Sequence, residues 1–294
     1  MKIALFIFGL ALVSLCNAPA QVVAVQVTLE QEQFLPGESL LATVCITNSS
    51  GQSLHLGAET NWLRFSVEAA DNSFNVLRNA EPPVVGAFDL GSSEVAFKQM
   101  DLARYFQVTR EGPYHVVATV HIPEWNVDVR SPVKEFHVVD AARLWTQDFG
   151  LPVPAGVTNE LPVVRKYILE EANYLRKQLR LYVLIGDQSG TRIYKVTAIG
   201  PMVSFGSPEA QLDRASNLHV ICQSGAQSFI YSVVNPAGTI TQQEVYDYGN
   251  TRPRLDMNAA GEIVVKGGVR RVKPGEFPML KQPEELPAPA PVKK

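Results

Sequence analysis

The sequence predicts an all-β protein with two domains, a β-sandwich followed by a domain of repeated β-strands. Apolar and polar residues alternate along short segments between residues 22 and 139, which is typical of strands with one buried face. Similar strand pairs then recur in the second half. The chain also contains 20 Gly and 20 Pro in 294 residues, enough to supply many turns. A chain of this length exceeds one ordinary hydrophobic core, so we expect two domains.

Residues 1–20 have the pattern of a secretory signal peptide. Lys2 precedes an apolar run over residues 3–16, and residues 18–20 read Ala-Pro-Ala, the form of a signal-peptidase site. We expect cleavage between Ala20 and Gln21. The run is too short to cross a bilayer core of about 30 Å, so we expect no retained transmembrane segment. The protein is therefore expected to be exported, whether periplasmic or secreted, and a nucleic-acid partner is excluded.

The cysteines exclude a disulfide-rich scaffold. After cleavage only Cys45 and Cys222 remain, and they fall in different predicted domains. Cys16, at the end of the apolar run, would suit a lipid-anchored leader, but Leu15 stands where that signal needs a small residue. We interpret Cys45 and Cys222 as two separate half-buried thiols.

Residues 21–140 are predicted to form a β-sandwich. Clean period-two alternation indicates one buried and one solvated face per strand, as two packed antiparallel sheets require. The apolar residues of this alternation are Val23, Val25, Val27, Leu29, Leu40, Ala42, Val44, Ile46, Leu63, Phe65, Val67, Phe74, Val76, Val95, Phe97, Tyr114, Val116, Ala118, Val120, Ile122, Phe136 and Val138. A short helical turn is predicted over residues 101–106. Tyr114, which follows Gly112-Pro113, resembles the tyrosine corner of immunoglobulin-like domains, and this resemblance implies that fold.

Residues 141–162 are predicted to be a linker, because Pro152, Pro154 and Pro162 interrupt the alternation. Trp145 and Phe149 are expected to anchor it to one domain. The apolar residues of 163–179 are consistent with one face of a helix and also with one face of a strand, so the pattern does not decide between the two. It slightly favours a strand followed by a turn.

Residues 163–273 contain a repeat. The strands Leu181-Tyr182-Val183 and Ile193-Tyr194-Lys195-Val196 recur 37 residues later as Leu218-His219-Val220 and Ile230-Tyr231-Ser232-Val233, and residues 258–265 echo residues 213–220. Such units cannot bury their apolar faces alone and must stack. They resemble the blades of β-propellers, whose strands are also joined by Asp- and Gly-containing turns. Two or three units are too few to close a ring, so the resemblance implies a propeller-like antiparallel β-meander.

The whole arrangement resembles uncharacterised secreted bacterial proteins that join an immunoglobulin-like domain to a propeller-like β-repeat. That resemblance implies no activity. Residues 274–294 are rich in Pro and Lys and lack large apolar residues, so we expect a disordered tail.

Known catalytic motifs are missing from the sequence. The nearest match to a serine-hydrolase elbow, residues 186–190, places Ser189 one position late and in a predicted hairpin. Asp213 and Asp256 stand at what look like equivalent repeat positions, which favours turn-stabilising roles over a pair of catalytic carboxylates. We expect no enzyme and no cofactor.

The histidines do not predict a metal site. His115 and His121 lie on one face of a strand but six residues apart, about 20 Å at strand rise. His137 lies on the next strand, and one histidine together with Asp128 or Glu135 would at most bind a metal ion adventitiously. We interpret them as surface residues.

Aromatic and basic residues cluster near the end of the repeat and form the candidate ligand-binding surface: Tyr246, Tyr248, Arg252, Arg254, Arg270 and Arg271. Rings and guanidinium groups together suit a sugar polymer or an acidic peptide, although pairing with acidic residues of the protein would explain them equally.

The two predicted domains differ in charge. Residues 21–140 carry 15 acidic and 7 basic residues, whereas residues 141–273 carry 11 acidic and 15 basic residues. Opposite charges would also let the two domains dock.

The sequence therefore favours an exported, non-enzymatic binding or structural protein of the cell envelope or extracellular space, with an envelope polymer or protein as partner. A polysaccharide-acting hydrolase and a secreted inhibitor or chaperone-like module are the alternatives.

Overall fold

The computed structural model describes residues 22–84, 86–151 and 163–272. The predicted leader, its cleavage site at Ala20 and Gln21, and the predicted tail lie outside these residues. Within them the protein is all-β, built from antiparallel sheets of which none closes on itself. No helix in the described part of the chain is long and apolar enough to cross a membrane.

Before residue 140, the described part of the chain contains ten strands and one 3-10 helix. The strands are β1 (Val23–Leu29), β2 (Gln33–Phe34), β3 (Leu41–Asn48), β4 (Leu54–Leu56), β5 (Leu63–Ala69), β6 (Phe88–Leu90), β7 (Glu94–Asp101), β8 (Gly112–Ile122), β9 (Val127–Arg130) and β10 (Lys134–Val138), with the 3-10 helix at Leu102–Arg104. The helix lies within the short helical turn predicted over residues 101–106.

Eleven further strands follow. They are β11 (Ala142–Gly150), β12 (Val164–Tyr174), β13 (Gln178–Asp187), β14 (Ile193–Met202), β15 (Glu209–Leu212), β16 (Leu218–Gln223), β17 (Ser228–Val234), β18 (Ile240–Asp247), β19 (Arg254–Met257), β20 (Ile263–Lys266) and β21 (Val269–Arg271). The segment that the sequence left open between helix and strand is strand β12, followed by a turn and β13.

The chain divides into two compact units. The first contains the described residues up to Glu32 together with Ser39–Gln107 and Pro113–His137, and the second contains Gln33–Glu38, Val108–Gly112 and everything from Val138 onward. Residues 33–38 and 108–112, which the sequence placed in the first domain, therefore group with the second unit. Leu35 explains part of this, since it packs in one apolar cluster with Ile168 and Tyr182.

In the first unit, β1, β3 and β7 form one sheet, and β8 pairs with β5, β9 and β10 in another. Both β3 and β8 bury every second residue, as the alternation predicted. Tyr114 is fully buried, and its ring stacks on Phe136 with centroids 5.3 Å apart and meets Phe74 edge-on at 5.7 Å. Such aromatic pairs favour a single packing arrangement in the core.

In the second unit, two sheets and a hairpin pack in layers. The sheet β11-β12-β13-β14 and the sheet β15-β16-β17-β18-β21 share one apolar cluster, which contains Tyr167, Leu181 and Leu218. The hairpin β19-β20 covers the other face of the second sheet through Leu255 and Ile263. The central strands β13 and β16 are therefore covered on both faces, which explains why they contain runs of consecutive buried residues instead of alternating ones.

The linker prediction is wrong for residues 142–150, which form strand β11. This strand pairs with β12 along its length, and Phe149 stacks on Tyr167 with centroids 4.1 Å apart. Because β11 is an edge strand with most of its side chains exposed, its sequence carries little alternation. The rest of the predicted linker, residues 152–162, lies outside the described residues.

Candidate functional site

An open groove of about 460 Å³ runs along the hairpin β19-β20 of the second unit. It is lined by Thr251, Arg252, Arg254, Leu255, Asp256 and Lys266. Arg254 and Asp256 are two residues apart on β19 and so share one face of the strand. Lys266 enters from β20, where it is the register partner of Arg254. The hairpin thus gathers three basic side chains around one depression.

Arg252 is the least solvated cation of this groove. Its guanidinium carbon lies 5.4 Å from the centre of the Phe229 ring, and its Nε is buried without a hydrogen-bond partner among the described residues. A buried N–H without a partner costs about 1–3 kcal/mol, and this atom lies too deep to contact a ligand, so only the rest of the guanidinium can face the groove. Leu255 is 8% exposed and packs in the cluster beneath the hairpin, so its side chain anchors β19 to the sheet.

The charges of the groove do not cancel. Lys266 Nζ lies 3.0 Å from Asp256 Oδ2, and the hydrogen bond from Lys266 is the main reason why the pKa of Asp256 is lowered. Arg254 is exposed, and no described carboxylate forms an ion pair with it. Two guanidinium groups are therefore left to receive an anion.

The structure separates the predicted Tyr-Arg cluster into two groups. Arg252 and Arg254 line the groove, whereas Tyr246 and Arg270 converge on Glu244: the Tyr246 hydroxyl donates to Oε2 over 2.9 Å and Arg270 Nε lies 2.8 Å from Oε1. These contacts hold the pKa of Glu244 below its usual value, although burial of that carboxyl acts in the opposite direction and is the largest single effect.

The remaining two members of the cluster lie near the same strand end. Arg271 donates to Asp247 over 2.6 Å, while Tyr248 is 53% exposed. Arg270 and Arg271 on β21 thus pair with Glu244 and Asp247 on the neighbouring strand β18. These ion pairs help to join β21 to the sheet.

A buried polar group that the sequence analysis did not single out lies beside a second groove, of about 510 Å³. His219 Nδ1 is 2.8 Å from the Tyr231 hydroxyl, and His219 Nε2 is 3.4 Å from Asp213 Oδ2. Asp213 and His219 both line this groove. One signal in the sequence was available: His219 interrupts the apolar run of β16, and a buried polar residue needs a partner.

Asp213 stabilises a turn, as predicted, but Asp256 is not its equivalent. Asp213 Oδ1 accepts from the main-chain N–H groups of Ala215 and Asn217, and Asn258 Oδ1 accepts in the same way from Ala260 and Glu262. Asp256 instead lies within β19 and pairs with Lys266. The prediction failed for Asp256 because the repeat aligns by its turns, which places Asn258 and not Asp256 at the position of Asp213.

In the first unit, two of the surface histidines pair with carboxylates. His121 Nδ1 lies 2.9 Å from Asp128 Oδ1, and Arg64 also contacts Asp128. The hydrogen bond from His121 is the chief cause of the lowered pKa of Asp128. His137 Nε2 lies 3.5 Å from Glu135. Asp128 and Glu135, the two carboxylates considered together with the histidines in the sequence, are thus partners of His121 and His137.

Comparison with known proteins identifies no family. No protein-family model matches the chain, and no curated protein matches it. Among solved structures, the sporulation control protein Spo0M from Bacillus subtilis is similar over 72% of this chain and 79% of its own, with 13% sequence identity and a TM-score of 0.30. A TM-score of this size carries no conclusion about fold or function.

Proposed function

We propose that this chain is an exported, non-enzymatic binding protein that holds an acidic polymer of the cell envelope in the groove along β19 and β20. Its first unit is an immunoglobulin-like sandwich and its second a propeller-like β-meander. Two observations support this arrangement: the alternating burial of β3 and β8, and the face-to-face stacking of repeated hairpins in the second unit.

The observation that carries the proposed binding function is the state of Arg252. Its guanidinium lies against Phe229 and lines the open groove, and the exposed Arg254 stands two residues away on the same groove. A guanidinium fixed by an aromatic ring loses little freedom on binding, and its fork of N–H donors matches a carboxylate. Together these features favour a carboxylate-bearing polymer, and a polysaccharide is the envelope polymer that we propose.

The test is titration of the protein from Gln21 to Lys294 with polygalacturonate, followed by calorimetry. Neutral dextran serves as the uncharged control, and a polyglutamate peptide tests an acidic peptide as the alternative occupant. We expect saturable binding of polygalacturonate that weakens as salt is raised, because exposed charges are screened. Dextran should not bind.

The variant Arg254→Gln should weaken binding about tenfold, which corresponds to about 1.4 kcal/mol. Lys177→Gln is the matched control, since it removes one exposed positive charge from a turn of the same unit and should leave affinity unchanged. Equal affinity of the Arg254→Gln variant and the unaltered protein would overturn the proposed site. Binding of polyglutamate alone would replace the polysaccharide with an acidic protein partner.

A second candidate function rests on strand β7. It is an edge of the sheet β1-β3-β7 among the described strands, and Val95 and Phe97 on it are 47% and 67% exposed. An exposed apolar edge is the surface to which an extended peptide adds as a further strand, as in inhibitor and chaperone modules. Lys98 on the opposite face of β7 is a charge of the kind that discourages such pairing, so this reading ranks second.

A further inference from the structure

A second cluster of basic and aromatic side chains lies on the first sheet of the second unit, away from the residues of the groove. Arg165 from β12 and Arg192 from the β13-β14 turn both approach the ring of Tyr194. Their guanidinium carbons lie 4.8 and 5.3 Å from the ring centre. At these distances each cation is attracted to the ring, while the two cations repel one another.

A break in the strand register places Tyr194 in this position. Ile193 pairs with Gly186 and Lys195 pairs with Ile185, so Tyr194 is an extra residue without a partner on β13. Bulges of this kind redirect one side chain and are frequent beside functional sites. Tyr231, its counterpart 37 residues later, is 5% exposed, whereas Tyr194 is 45% exposed. The bulge therefore keeps a tyrosine at the surface where the other repeat buries it.

The positive charges of this cluster lack an ion-pair partner. Arg165 Nε is buried without a hydrogen-bond partner, and no described carboxylate lies within ion-pair distance of Arg165 or Arg192. Asp187 is the register partner of Arg165, but its Oδ1 accepts from the main-chain N–H groups of Thr191 and Arg192, and its Oδ2 accepts from Ser189. The Asp187 carboxylate is therefore held in the turn, and it forms no ion pair with either guanidinium group.

We propose that Arg165, Arg192 and Tyr194 form a phosphate-binding site. Both guanidinium groups lie beside the same ring, and an anion that bound to both would offset their mutual repulsion. A phosphate group suits this arrangement better than a carboxylate, since it offers three acceptor oxygens and up to two negative charges. The ligand is either free phosphate or a phosphoryl group carried by an envelope molecule. This site stands apart from the groove at Arg254 and does not depend on the proposed function.

The test is calorimetric titration of the protein from Gln21 to Lys294 at low salt with inorganic phosphate, glycerol phosphate and acetate. We expect phosphate to bind and acetate to bind at least tenfold more weakly. Arg192→Gln and Tyr194→Leu should each weaken phosphate binding about tenfold, whereas Lys177→Gln should leave it unchanged. Arg192 and Tyr194 are exposed, so these variants should fold, and thermal unfolding curves check that they do.

The remaining outcomes decide the source of the ligand and the fate of the proposal. Tighter binding of glycerol phosphate than of inorganic phosphate would identify a phosphoryl group on a larger molecule, and the reverse order would identify the free ion. Phosphate binding that survives both Arg192→Gln and Tyr194→Leu would mean an adventitious ion only and would overturn the site. Loss of binding in Arg254→Gln alone would move the phosphate to the groove.

Discussion

His219 Nδ1 lies 2.8 Å from the hydroxyl oxygen of Tyr231, and the two residues are only 8% and 5% exposed. They stand on neighbouring strands β16 and β17, and His219 also reaches Asp213 at the start of the sheet's first turn. A polar contact buried this deeply must be satisfied inside the protein, because water cannot replace it. The pair therefore joins the turn at Asp213 to the interior of the second sheet.

Replacing Tyr231 by Phe should destabilise the second unit by about 1–3 kcal/mol, because it leaves a buried ring nitrogen of His219 without its partner. Urea unfolding followed by circular dichroism measures the change. Tyr194→Phe is the control, since the ring of Tyr194 is 45% exposed and loss of its hydroxyl should cost little. Equal stability of the two variants would show that the contact between His219 and Tyr231 contributes nothing.

Stability should fall in alkali. Burial raises the pKa of Tyr182, Tyr231 and Tyr246 to about 12, against 10.0 for a free tyrosine. Between these values the unfolded chain loses phenolic protons that the folded protein retains, so ionisation favours unfolding. The contribution of these groups is complete below about pH 10 and is lost as the pH rises through 12. Thermal unfolding midpoints that decline as the pH rises from about 10 to 12 would agree. Midpoints that stay constant over this interval would contradict the prediction.

The turn at Asn258 should tolerate Asp but not Ala. Asn258 Oδ1 accepts from the N–H groups of Ala260 and Glu262, over 3.0 and 2.9 Å, and an Asp oxygen at the equivalent residue 213 makes the same two contacts. Asn258→Ala should cost about 1 kcal/mol. Asn258→Asp should cost less, because it keeps the acceptor oxygen and loses only the exposed hydrogen bond that Asn258 Nδ2 donates to Glu262 Oε2. Urea midpoints of the two variants test this, and an equal loss in both would show that the side-chain acceptor is unimportant.

Gly57 and Gly51 should differ sharply in their response to alanine. Both have left-handed backbones, with φ of +82° and +81°, so alanine costs about 1–2 kcal/mol at either position. A Cβ at Gly57 would also stand 2.2 Å from the Gly86 carbonyl oxygen, whereas a Cβ at Gly51 meets nothing within 4 Å. Gly57→Ala should therefore cost a further ~1–3 kcal/mol. Matching thermal midpoints for the two variants would contradict the close approach at Gly57.

Residue patterns predicted the β-structure well where a strand has one wet face. β3 and β8 alternate clearly, and the structure buries the residues that the pattern placed inward. Strand β11 was missed because eight of its nine residues are not fully buried, so neither periodicity nor composition distinguishes it from a linker. Its strand conformation depends on pairing with β12, which is a long-range contact and leaves no local signature.

The candidate site was predictable only in part. Arginines and tyrosines near the end of the repeat indicated a binding surface, but sequence could not separate Arg252 and Arg254, which line an open groove, from Arg270 and Arg271, which face Glu244 and Asp247. The pairing of a charged side chain depends on which strand lies beside it, and the register of β18 with β21 decides that. The cluster at Tyr194 was not predicted for the same reason, because it depends on a β-bulge and not on a sequence motif.

By itself, the sequence determined the all-β character, the alternation of the first unit and the turn residues of the repeat, since these follow from side-chain size, polarity and backbone preference within a few residues. Only the tertiary structure decided which residues of the predicted first domain group with the second unit. It also decided which polar side chains are buried together and which of the described arginines form no ion pair. Those properties depend on contacts between strands that are far apart in the chain, and the pattern of neighbouring residues does not predict such contacts.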